Sequence, residues 1–66
     1  MIKSIRLIDG DNFVVGNEFR AGVTISGILA GITMNNYTVE MSNKEYLVVP
    51  ITSVLFARHI PDEEKK

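Results

Sequence analysis

The stretch from Glu45 to Ile60, "EYLVVPITSVLFARHI", most constrains what this chain can fold into. Its sixteen residues carry charge only at Glu45, Arg58 and His59. Tyr46-Leu47-Val48-Val49 shows no polar alternation, so both faces of a strand there need cover. Pro50 has no N–H and a fixed φ, which excludes it from the middle of a doubly paired strand and marks a break. "PITS" is too short for an α-helix and suits one 3₁₀ turn, after which Val54-Leu55-Phe56-Ala57 begins a second strand, apolar on both faces. Strand, tight helical turn, strand is the corner with which a small barrel crosses from one half of its sheet to the other.

The rest of the chain reads as β. Val, Ile, Thr, Phe and Tyr dominate, and glycine interrupts every apolar stripe of helical period. Ile2 to Ile8 is the first strand, ending at Asp9-Gly10-Asp11, a hairpin signal, with Asn12 to Val15 as a short return. Gly16 to Gly22 reads as a loop or irregular bend. In "VTISGILAGITM", glycines among β-branched residues predict bulges or sharp bends. Asn35-Asn36 reads as a turn, both residues tolerating left-handed backbone angles. Tyr37 to Met41 alternates, with Tyr37, Val39 and Met41 on one face and a wet face opposite, and Ser42 to Lys44 is another tight turn. The expected fold is all-β: a small, five-stranded, strongly bent SH3-like or Sm-like barrel with a 3₁₀ corner before its last strand. It would occupy residues 1–59 as a single domain, with residues 60–66 as a charged tail.

A chain of 66 residues buries only about 60% of the surface its unfolded form exposes. Domains of this size usually add disulfides, metal or a partner chain. Cysteine is absent and His59 is the only histidine, which leaves association. Residues 1–59 carry five basic and five acidic side chains, without the basic stripe of a phosphate-reading protein. No export signal or membrane span is readable, so a cytoplasmic protein without membrane partner is expected.

Chemistry-bearing motifs are sparse. Asp9 and Asp11 flank a glycine as metal or acid–base carboxylates do, yet a hairpin turn explains both. Glu40 and Glu45 read as solvent-facing hairpin ends beside Lys44. The four serines and four threonines form no nucleophile motif. The aromatics Phe13, Phe19, Tyr37, Tyr46 and Phe56 read mostly as core, with a base-stacking platform as the rival. No catalytic residue, metal site or cofactor is expected, and the chain reads as a non-enzyme.

The Ile51-Thr52-Ser53-Val54 corner resembles that of the Sm-like proteins, which include the bacterial Hfq type. "SIRLIDGDNFVVG" is similar to that family's opening strand and turn. The likeness covers about two-thirds of the chain and leaves Gly16 to Met34 unmatched. It implies a ring in which the strands either side of the corner pair with neighbouring subunits, and it implies RNA as a ligand. This sequence departs from it where the family reads RNA: Leu47, Val48 and Val49 stand in place of a Tyr-Lys-His run, the N-terminal helix is missing, and Thr33 replaces an acid in "TMNNY". A second short β family, the carbon-storage-regulator type of RNA-binding dimer, shares length and charged tail, without its Gly-x-x-Ala-Pro signature or basic last strand here.

The sequence therefore predicts a homo-oligomeric binding or interaction module, such as a small bacterial accessory or phage-type regulatory factor. Ligand contacts fall to Asn35, Asn36, Tyr37, Arg58 and His59, and the subunit interface to Leu47, Val48, Val49, Val54, Leu55 and Phe56. The target is a protein or a small anionic metabolite, with RNA as the alternative.

Overall fold

In a computed structural model, residues 1–61 are described. The order is β1 (Ile2–Leu7), β2 (Asn12–Val14), β3 (Glu18–Arg20), β4 (Val23–Ala30), β5 (Asn36–Met41), β6 (Tyr46–Pro50), a 3₁₀ turn (Ile51–Ser53) and β7 (Val54–His59). The expectation of an all-β chain is met. The strands form two antiparallel sheets, ordered β2-β1-β7 and β3-β4-β5-β6. Seven strands thus stand where five were expected.

The extra count arises between Asn12 and Arg20. Gly16, at φ 96°, lets the chain leave β1 and join β4: Gly16 N–H donates to the Ile25 carbonyl (2.8 Å) and Ile25 N–H to that of Asn17 (2.9 Å). Gly16 to Gly22, read as an irregular loop, therefore contains β3, which returns to β4 through Ala21-Gly22 with Gly22 at φ 81°. The two sheets connect at Gly16 into one curled half-barrel whose ends are β6 and β7.

The core follows the strand period except where register shifts reset it, between Ile2 and Ser4 in β1 and between Ile25 and Gly27 in β4. Ile2 and Ile5 of β1, Val23, Ile25 and Ile28 of β4, Val39 and Met41 of β5, and Val49 of β6 are buried. Ile25 and Ile28 lie an odd number of residues apart, so plain alternation would place them on opposite faces. A register shift between Ile25 and Gly27 inserts one residue and brings both inside, a bulge at one of the glycines that predicted it.

Two hairpin turns share one design. Gly10 N–H donates to the Leu7 carbonyl and Leu7 N–H to that of Asp11; Lys44 N–H donates to the Met41 carbonyl and Met41 N–H to that of Glu45. In each, the residue before the left-handed position folds its side chain back: Asp9 Oδ1 accepts Asp11 N–H and Asn43 Oδ1 accepts Glu45 N–H, both at 3.0 Å. Gly10 fills the first left-handed position and Lys44, at φ 77°, the second.

The corner is as expected. Pro50 (φ −64°, ψ 145°) ends β6 and the 3₁₀ turn follows. Ile51 N–H donates to the Asn35 carbonyl and Ile8 N–H to that of Ser53, each at 2.9 Å, tying the corner to both sheets. Ile60, the first residue of the expected tail, donates its N–H to the Met1 carbonyl at 2.9 Å and is half-buried. The rest of the expected tail, from residue 62, lies outside the described residues.

Candidate functional site

β6 and β7, at the outer ends of the two sheets, lie either side of the 3₁₀ turn. The Met41–Glu45 and Asn35–Ile51 hydrogen bonds fix the alternation of the β5–β6 ladder. Odd-numbered residues of β6 turn their backbone groups toward β5, and those of Tyr46, Val48 and Pro50 face outward. Pro50, without N–H, sits at a position where no partner strand of this chain needs one.

The expected interface residues divide by strand face. Val48 lies on one face, 57% exposed; Leu47 and Val49 share the other, where Leu47 is 37% exposed and Val49, at 7%, belongs to the core. Val49 is therefore an interior residue: a β6 side chain on the face toward β4 and β5 packs within its own subunit. Val54 is half-buried against the core. Leu55 and Phe56 are consecutive yet both exposed, at 61% and 55%. The cause is a bulge: Arg6 pairs with Phe56 and Leu7 with Val54, so Leu55 has no opposite residue.

The expected ligand residues fall in two places. Asn35 lies exposed in the β4–β5 loop, its carbonyl bonded to Ile51 N–H. Asn36 begins β5 opposite Pro50, and its carbonyl accepts Gly31 N–H at 2.9 Å. The turn's left-handed residue is Met34, at φ 64°, rather than either asparagine, because the Gly31–Asn36 closure already holds Asn36 in extended geometry. Tyr37 is half-buried against the core between Ala30 and Val49. Arg58 and His59 are exposed on β7 opposite Ser4 and Ile2. β5 and β7 belong to different sheets and do not pair, so within one subunit the fold does not gather the two groups.

Asp9 and Asp11 serve the hairpin turn, Asp9 Oδ1 accepting Asp11 N–H. Glu40 and Glu45 are exposed. Arg20 Nη2 meets Glu45 Oε1 at 2.9 Å and its guanidinium stacks 5.9 Å from the Phe19 ring centre. Hydrogen bonding from Asn43, and then from Arg20 with its charge, holds the Glu45 carboxyl below its ordinary range.

A feature missed in the sequence lies on the concave side. Two adjoining depressions of about 460 Å³ each share Phe13 and Leu47. One continues to Phe19, Ile25 and Glu18 and the other to Leu7, Val49 and Pro50. Phe13 and Phe19, with ring centres 6.1 Å apart, tilt together at its side. Phe19, one of five aromatics read mostly as core, is 36% exposed, and its place as a lone aromatic within the polar "GNEFRAG" is the signal for it. Tyr46 and Phe56, also expected mostly inside, are exposed, since β6 and β7 have no strand beyond them.

Among the described residues, no helix is long and apolar enough to cross a membrane. Comparison with protein-family models, with curated proteins and with solved structures found no match to this chain.

Proposed function

We propose that the protein is a non-enzymatic, homo-oligomeric interaction module built on an SH3-like or Sm-like barrel, with β6 of one copy pairing with β7 of the next. The observation that carries this reading is the uncovered apolar surface at the two sheet ends: Val48, Leu55 and Phe56 are each more than half exposed beside unpaired backbone edges. At about 25 cal/mol per Å² their burial is worth several kcal/mol, comparable with the whole stability of a small domain. Pairing would also remove both free edges. In such an assembly Arg58 and His59 of one copy meet a neighbour's strands, and a protein or small anionic ligand is held between copies with Asn35, Asn36 and Tyr37.

Light scattering on the protein and on Val48→Asp tests the assembly. The unchanged chain is expected at a multiple of 7.4 kDa, and Val48→Asp at the single-chain mass with an unaltered β spectrum. A folded, single-chain mass for the unchanged protein at high concentration would refute it. The RNA alternative predicts salt-sensitive binding of a short A- or U-rich strand, and its absence removes that alternative without touching the assembly.

A further inference from the structure

We propose that the concave trough over Phe13 and Leu47 binds an extended peptide segment in which arginine or lysine alternates with large apolar residues. This goes beyond the assembly reading: the trough shares Val48 and Pro50 with the β6 margin, but its occupant is a peptide rather than a second copy. Three observations select the occupant. First, apolar side chains run through both depressions, Leu7, Phe13, Leu47 and Val49 in one and Phe13, Phe19, Ile25 and Leu47 in the other, where they stand among polar Asn12 and Asn17. Second, every charged residue lining the two depressions is acidic, Asp9 in one and Asp11 and Glu18 in the other. Asp9 and Glu18 each use one carboxylate oxygen locally, on Asp11 N–H and Gly22 N–H, which leaves the charge and a second oxygen for a visitor. The neighbouring depression carries two cations, Lys44 and Arg20, of which Arg20 is committed to Glu45. Third, β2 stands last in its own three-stranded sheet beside the trough, and although the Val14 carbonyl accepts Asn17 N–H, Asn12 leaves a short stretch of backbone, apart from the β6 and β7 margins, for an extended visitor to lie against.

An extended segment directs alternate side chains to opposite sides, one set down onto the rings and the other out to the carboxylates. The chain's own residues 62–66, Asp-Glu-Glu-Lys-Lys, contain no apolar side chain and do not suit this floor. Apolar burial supplies affinity, and the acidic rim supplies selectivity and approach rate.

Fluorescence anisotropy with a dye-labelled nonapeptide of alternating leucine and arginine tests this, against a leucine–glutamate peptide of equal length. The cationic peptide should bind at least about tenfold more tightly, and added salt should weaken it. Asp11→Lys combined with Glu18→Gln, both on the exposed rim, should reduce its affinity about tenfold or more while leaving the fold intact. Equal binding of both peptides, indifference to the rim substitutions, or no binding at millimolar peptide would overturn the proposal. So would peptide capture that breaks the assembly apart in proportion, because the trough would then belong to a second copy. A single-chain protein that still selects the cationic peptide would sink the assembly reading and leave this one standing.

Discussion

Lys44 occupies a backbone conformation that the matching hairpin gives to Gly10. A side chain in the left-handed region costs about 1–2 kcal/mol, and glycine returns part of that as unfolded-state entropy. Lys44→Gly should therefore raise the stability of the fold by about 1 kcal/mol, read as a higher urea midpoint at unchanged slope, whereas Lys44→Val should lower it. The neighbouring Glu45 gives a pH signature. Its folded-state pKa is lowered, so the stability it contributes is present above its unfolded value and is lost as pH falls through the folded one. Denaturant midpoints taken below pH 4.5, the ordinary value, should fall more steeply for the unchanged protein than for Glu45→Gln. At Gly31, an added Cβ would stand 2.6 Å from Asn36 Oδ1 and 3.3 Å from its carbonyl oxygen. Gly31→Ala should destabilise, and less so in an Asn36→Ala background, since removing the amide relieves the nearer clash.

Individual elements differ in how plainly residue order announced them. Ile2 to Leu7, Tyr37 to Met41 and the strand–turn–strand about Pro50 carry alternation, turn residues or a proline, and these are physical requirements of a sheet. β3 escaped because Glu18, Phe19 and Arg20 are all exposed, leaving no buried face and hence no period to read; its only marks are the glycines at its borders. The left-handed turn residue was misplaced onto asparagine because propensity weighs a residue alone, while loop closure between Gly31 and Asn36 decides it. The trough was hidden for a similar reason, since Phe13, Phe19 and Leu47 come from separate elements and meet only when the sheet curls. At this scale the core is the sensitive point. Ile5 and Val39 are fully buried, and Ile5→Ala should cost about 2–5 kcal/mol. That is enough to leave much of so small a domain unfolded, as circular dichroism at room temperature would register.

The whole molecule has one thin core and two unpaired margins beside a single corner. β6 is the more hazardous, an edge of Tyr, Leu and Val without a charge of its own. Yet Pro50 ends it with a nitrogen that has nothing to donate on the outward side, and Leu55 bulges the opposite margin. A strand joining at β6 can therefore extend its ladder only as far as Val48 before it meets a missing donor. Endless cross-β stacking needs a donor at every rung, so this chain should resist forming fibrils even when concentrated and shaken. Pro50→Val restores that rung and should bring on thioflavin-positive fibrils, a change from finite growth to unlimited growth caused by one hydrogen atom on one backbone nitrogen.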